Sequence, residues 1–270
     1  MTAVYQLDDL LYLMARLRDP ADGCPWDREQ TFASIVPHTI EESYELADAI
    51  ERGDSQHIKE ELGDVLFQVI FYAQLAKEQQ QFQFEDIVSG LVEKLLRRHP
   101  HVFPGGTLQS RAAQQSGDMA AIKKNWELLK ASEREQKQQT GVLDDVPLSI
   151  PALSRAFKLQ KRASQVGFDW DNIEAVLAHV QSEIIELVEA RADGNEDHVE
   201  AELGDLLFCM VNLARHLKKN PETALRRTNT KFEARFGYIE GKLAELGSNP
   251  DEASVALMDK LWDEAKQQGL

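Results

Sequence analysis

His38 to Phe67 reads HTIEESYELADAIERGDSQHIKEELGDVLF, and His179 to Phe208 reads HVQSEIIELVEARADGNEDHVEAELGDLLF. At an offset of 141 residues, Glu42 falls on Glu183, Glu45 on Glu186, Gly53 on Gly194 and His57 on His198. Glu61-Leu62-Gly63-Asp64 then falls on Glu202-Leu203-Gly204-Asp205, and Leu66-Phe67 on Leu207-Phe208. Self-similarity at a fixed offset marks a duplicated structural module.

The duplication extends outward from this segment. Gly23-Cys24-Pro25-Trp26-Asp27 matches Gly167-Phe168-Asp169-Trp170-Asp171, Lys94 and Arg98 match Lys231 and Arg235, and Trp126 matches Trp262. The offset drifts along the chain because loops vary in length more than helices do.

Inside the repeat the apolar residues fall at Leu62, Val65, Leu66, Val69, Ile70 and Ala73, and again at Leu203, Leu206, Leu207, Met210, Val211 and Ala214. Steps of three and four put each set on one helical stripe. Gly53 and Gly194 stop the preceding helices, and Asp54 or Ser55, and Asn195, cap the following ones. No alternating β pattern competes, so the fold class is all-α, with two tandem helical bundles. Two prolines and no helical period mark residues 140–151 as a linker between an N-terminal module, 1–139, and a C-terminal module, 152–270. Phe67, Phe71, Phe208 and Cys209 lie off the main stripes, so these helices are apolar on two sides. That pattern predicts dimerisation or close packing of the two halves.

Composition narrows the partners. The 270 residues carry 46 acidic and 30 basic side chains, a formal net charge of -16, with 43% hydrophobic residues. A folded core is affordable on that content. Nucleic acid is excluded as a partner, and so is an anionic membrane surface, because no basic block overrides the acidic total. Cys24 and Cys209 are the only cysteines, which fits a reducing compartment. The first residues carry no basic leader and no apolar run is long enough to span a bilayer, so a cytoplasmic location is expected.

The chemistry sits in paired acids at i, i+3 spacing: Glu42 with Glu45, Glu61 with Asp64, Glu183 with Glu186, and Glu202 with Asp205. Residues three apart share a helix face. Antiparallel helices joined at a glycine turn bring each set of four carboxylates together. Such a set repels itself unless cations intervene, and all-oxygen ligation suits Mg²⁺, with Mn²⁺ as the alternative. A di-iron site would want Glu-x-x-His, and no histidine lies three residues after a glutamate. Lys231 with Arg235, and Lys94 with Arg98, sit at i, i+4 spacing. They read either as surface ion-pairing residues or as clamps on phosphate oxygens. Trp126 and Trp262 are either packed aromatics or stacking platforms for a base. His198, like His57, falls in the first turn of its helix, and reads either as a solvated histidine or as one near a bound phosphate.

The EExxE and ExxD motifs at Glu41-Glu42-Ser43-Tyr44-Glu45 and Glu61-Leu62-Gly63-Asp64 resemble those of the MazG nucleoside triphosphate pyrophosphohydrolases. Gly23-Cys24-Pro25-Trp26-Asp27 and Arg97-Arg98-His99-Pro100-His101-Val102-Phe103 are similar to segments of the tandem-domain members. The resemblance implies an all-α homodimer that holds Mg²⁺ at the acidic positions. It also implies conversion of nucleoside triphosphates and water to monophosphates and pyrophosphate, with a broad base range. Within this frame Glu183, Glu186, Glu202 and Asp205 carry the catalysis. Ser182 departs from the motif, standing where its first Glu would be. A selective dNTP or phosphoribosyl-ATP pyrophosphohydrolase, or a non-catalytic nucleotide-binding adaptor, is the competing reading.

Overall fold

The computed structural model describes residues 4–112, 118–136, 141–144 and 146–270. Among the described residues the regular secondary structure is entirely helical. The chain divides into two compact units, Met1–Lys130 and Ala131–Leu270.

The first unit contains α1 (Leu7–Leu17), α2 (Pro25–Glu29), α3 (Phe32–Arg52), α4 (Ser55–Glu78) and α5 (Phe84–Arg98), and α6 (Met119–Gln136) begins in it. The long helices α3 and α4 pack along each other, with α1 and α5 against α4. Gly53 at φ 73° ends α3 in the left-handed region, which glycine enters without steric cost. Asp54 then caps α4, accepting from the Gln56 and His57 amides. The tight reversal makes the two helices antiparallel. Met14, Ile35, Ile70, Phe71 and Leu75 form the core of this unit. Each fully buried side chain of this size contributes roughly 1.5–3 kcal/mol by leaving water.

The second unit contains α7 (Ala152–Ser164), α8 (Ile173–Asp193), α9 (Glu196–His216), α10 (Pro221–Glu245) and α11 (Val255–Gln267). The same devices recur. Gly194 at φ 71° closes α8, and the Asn195 side chain accepts from the His198 amide to open α9. The helices α8 and α9 pack along each other as α3 and α4 do, α7 lies against α9, and α10 packs against α7, α9 and α11. Ile239, Leu243 and Leu261 form a core between α10 and α11.

The stretch expected to be a linker has no helix among its described residues, and α7 starts at Ala152. Thr140 and Asp145 of that stretch, and 137–139 of the N-terminal module, lie outside the described residues.

Burial in the repeat helices does not follow the stripes: Ile70, Ala73 and Val211 on them are buried, and Phe208 off them is exposed. Within the first unit Phe71, off the main stripe, is in the core, while Leu62 on the stripe is 53% exposed and Leu66 and Val69 are also open. In the second unit Cys209 and Val211 are buried, whereas Leu203, Leu207 and Met210 face outward with Ile184, Ile185 and Val188 of α8. Among the described residues, no helix is long and apolar enough to cross a membrane.

Candidate metal centre and adjoining pocket

Convergence of the acids follows from the helix pairing. In the first unit, carboxylate oxygens of Glu42, Glu45 and Glu61 lie within 4.8 Å of one another, and in the second unit those of Glu183, Glu186 and Glu202 do the same. Asp64 and Asp205 stand one turn further along α4 and α9. Their charges reach the clusters. Burial, then Asp64, Glu45, Glu61 and Glu41, push the Glu42 carboxyl above its ordinary pKa. Burial also raises Glu183, which His179 opposes and Glu186, Asp205 and Glu202 reinforce.

Histidines brace both clusters. His57 Nε2 lies 2.7 Å from Glu61 Oε1, His198 Nε2 3.2 Å from Glu202 Oε1, and His179 Nε2 3.2 Å from Glu183 Oε1. His198 thus contacts an acid of the cluster through its own helix. His179 is absent from the sequence candidates above; its one signal is that it precedes Glu183 by four residues, as His198 precedes Glu202. Glu61 Oε2 is buried without a hydrogen-bond partner. A buried acceptor in that state is costly unless a donor or cation meets it. The donor set is wholly oxygen, so both clusters fit a hard divalent cation.

The halves differ around the first motif position. Glu41 pairs with His38 at 3.7 Å, whereas Ser182 Oγ donates to Glu186 Oε1 at 2.7 Å. The serine therefore directs a neutral donor at a cluster carboxylate where the first unit places another charge.

In the second unit a pocket of about 640 Å³ opens beside the acids, with Glu183 and Asp205 in its wall. That volume is within the range of small-molecule sites. Helices α7, α8 and α9 frame it, and Phe168 and Trp170, from the loop before α8, complete it. The loop is held by Asp169, which accepts from both terminal nitrogens of Arg215 and lies 3.1 Å from His216 Nε2. These contacts, the Arg215 hydrogen bond foremost, bring the Asp169 carboxyl down to about 2 against the opposing effect of burial. Gln160 on α7 lines the same pocket. The first unit carries its buried amide on the other helix, at Gln68 of α4, which the repeat aligns with Cys209.

The basic and aromatic candidates are placed away from that wall. Lys231, Arg235 and Trp262 are not among the residues lining the pocket. Lys231 is exposed in the middle of α10. One helical turn on, Arg235 Nε donates to Leu270 O at 2.7 Å, and its guanidinium lies 5.2 Å from the Trp262 ring centroid. Trp262 also packs on the Ile239–Leu243–Leu261 core and 5.3 Å from Phe232. The aromatics in the pocket wall are Phe168, Trp170 and Phe208, and the Trp170 ring lies 5.0 Å from His179. Trp170 carries a sequence signal as the repeat partner of Trp26, but its place in a pocket wall cannot be read from that. In the first unit Lys94 lies within α5 and Arg98 ends it, both half-buried. Trp126 sits edge-on to His99 at 5.6 Å.

Comparison with known proteins agrees with this geometry. The family model described as the MazG nucleotide pyrophosphohydrolase domain matches residues 30–103 and 171–237, one segment for each acidic cluster. A nucleoside triphosphate pyrophosphohydrolase of Escherichia coli K12 is 48% identical over 97% of this chain and 98% of its own length. The Thermotoga maritima nucleoside triphosphate pyrophosphohydrolase/pyrophosphatase MazG is 44% identical over 96% of this chain and 95% of its own. A Bacillus subtilis protein, YabN, is 43% identical over 94% of this chain, which spans 50% of it. Two matched segments and near full-length relatives make this chain a member of the MazG nucleotide pyrophosphohydrolase family.

Proposed function

We propose that the protein hydrolyses nucleoside triphosphates between the α and β phosphates, releasing a monophosphate and pyrophosphate. The carrying observation is the second-unit pocket, which has Glu183 and Asp205 of the acidic cluster in its wall. A nucleoside seated there brings its phosphates onto the carboxylates.

Glu183, Glu186, Glu202 and Asp205 hold Mg²⁺, and Glu42, Glu45, Glu61 and Asp64 form the equivalent set in the other half. Bound there, the cation supplies charge neutralisation on the phosphates and makes a coordinated water more acidic. One carboxylate of the cluster takes the proton of the water that attacks the α-phosphorus. His198 and His179 fix the rotamers of Glu202 and Glu183, which keeps the oxygens converged. Lys231 and Arg235 grip the β and γ phosphates from α10, and Lys94 and Arg98 are their counterparts. Trp262 and Trp126 back those cations as packed rings; the Arg235 guanidinium over Trp262 is the contact that favours this role.

The modules span 1–139 and 152–270, joined through 140–151. The outward apolar faces of α3–α4 and α8–α9 are covered in a homodimer. Exposed Leu62, Leu66, Leu203, Leu207, Ile185 and Val188 support that assembly, because an open patch of this kind marks an interface. Free Cys24 and Cys209 accord with the cytoplasm.

The test is product identification. Purified protein with Mg²⁺ and a panel of ribo- and deoxyribonucleoside triphosphates yields monophosphate and pyrophosphate. Diphosphate and orthophosphate as products, or full turnover in chelator, would refute the reading. Binding without turnover across the panel would leave a non-catalytic adaptor instead.

A further inference from the structure

We propose that Gln160 Oε1 is the atom that reads the nucleobase. It is a fixed acceptor, so the second-unit pocket takes any base with an N–H on its Watson–Crick edge and turns away bases that lack one. The proposal rests on the hydrolysis of nucleoside triphosphates argued above.

Gln160 is 7% exposed, yet it lines the pocket. Its Nε2 donates to Phe208 O at 2.8 Å. That bond settles which way the amide points: turned over, Oε1 would face the Phe208 carbonyl oxygen, and two acceptors repel. Oε1 is therefore held as an acceptor, and it is buried with no hydrogen-bond partner. A buried carbonyl-type oxygen without a donor is costly, and a ligand N–H that reaches it removes the cost.

The surroundings suit a base. Leu159 and Ala163 of α7 give apolar wall, and Phe168 and Trp170 give aromatic faces for a ring to stack on. The acids border the same cavity: Glu183 and Asp205 line it with Gln160, and Phe208, whose carbonyl holds the Gln160 amide, lies one helical turn beyond Asp205 on α9.

A lone acceptor gives breadth with a defined limit. Adenine and cytosine offer an amino group, guanine its N1–H and amino group, and uracil and thymine their N3–H. All satisfy Oε1. Unsubstituted purine, which has neither an amino group nor a ring N–H on that edge, does not.

The experiment compares ATP with purine ribonucleoside triphosphate, in wild type and in Gln160→Met, with Mg²⁺ present. Met keeps the volume and removes both polar atoms. Wild type favours ATP at least roughly tenfold in kcat/KM, expressed in KM, as loss of one buried hydrogen bond requires. In Gln160→Met the preference disappears, with ATP falling to the level of the purine analogue and the analogue unchanged. Equal kcat/KM for the two nucleotides in wild type overturns the proposal, and so does an equal loss for both in the variant. Calorimetric affinities of wild type for AMP and purine riboside monophosphate need neither turnover nor a variant. Tighter binding of AMP supports the base seat even if no pyrophosphate is released, in which case only the hydrolytic reading fails. Equal affinities overturn the base seat alone.

Discussion

Ser182 Oγ donates a 2.7 Å hydrogen bond to Glu186 Oε1, at the position where the first unit carries Glu41. The two halves of the duplication therefore do not present the same electrostatics to a cation. The second cluster has one carboxylate fewer nearby and a neutral donor orienting one that it keeps. Its basic pair differs too: Lys231 and Arg235 lie inside a helix that runs to Glu245, whereas Arg98 is the last residue of its helix, with Pro100 two residues on. Side chains on ordered backbone lose less entropy when they grip a ligand.

From this asymmetry the C-terminal half is expected to carry more of the turnover. Glu202→Gln with Asp205→Asn should remove most of kcat, and Glu61→Gln with Asp64→Asn should leave most of it. Steady-state pyrophosphate release by the two double mutants decides it. Equal losses, or the reverse order, would refute the assignment.

Removing metal and removing charge should have opposite signs. The Glu183 carboxyl sits above its ordinary pKa, so the folded state binds its proton more tightly than the unfolded chain does. Stability from this group is present below the unfolded value, about 4.3, and is lost as pH rises through the folded value. At pH 7.5 in chelator the cost of burying this charge, to which the neighbouring carboxylates add, is fully felt, and Glu183→Gln should melt roughly 2–6 °C higher than wild type. With excess Mg²⁺ the order reverses, because wild type alone gains the stabilisation of a complete site. Melting curves with and without Mg²⁺ test both halves of this expectation. A variant less stable than wild type in chelator contradicts it.

The Asp169–Arg215 pair gives a second pH signature. Its carboxyl is held at about 2, below the unfolded value of about 3.9. This contribution is present above pH 4 and disappears as pH falls toward 2. Asp169→Asn should lower the melting temperature at pH 7, with the deficit shrinking between pH 4 and 3. It should also raise KM, because the Phe168–Trp170 loop forms pocket wall. A deficit that stays constant from pH 7 to 3 would show that the pair is not its source.

The outward apolar face predicts an assembly that one charge can break. Leu207 is 51% exposed and Val188 62% exposed on neighbouring helices. Leu207→Lys or Val188→Lys should turn a homodimer into monomer by light scattering while leaving helical circular dichroism in place. Wild type that is monomeric at micromolar concentration would refute the dimer.

A conservative exchange separates a clamp from a surface residue. If α10 grips phosphate, Lys231→Ala and Arg235→Ala should each reduce kcat/KM by about tenfold or more, with Arg235→Lys recovering only part, since a point charge replaces a planar fork. Unchanged kinetics in both alanine variants would make them surface residues.

The helices, their caps and the duplication are legible in the order of the residues alone. Glycine turns, capping residues and three–four periodicity act over a few residues, so Gly53, Asp54, Gly194 and Asn195 read correctly in isolation. The i, i+3 spacing on two helices joined by a short turn also leads to the expectation that four acids converge in each half; three of each set lie within 4.8 Å of one another, and Asp64 and Asp205 stand outside those groups. Which apolar residues of each helix form the core is set by packing, not by spacing. Leu62, Leu66 and Leu207 have the same spacing whether they face their own bundle or a second copy, and only the position of α1 or α7 settles the matter. The pocket was equally out of reach. Gln160, Trp170, His179 and Arg215 come from three helices and a loop, and no spacing rule links a buried amide on α7 to a carbonyl on α9. Local chemistry is written in neighbouring residues, whereas burial is a property of surfaces that meet only after the chain has folded.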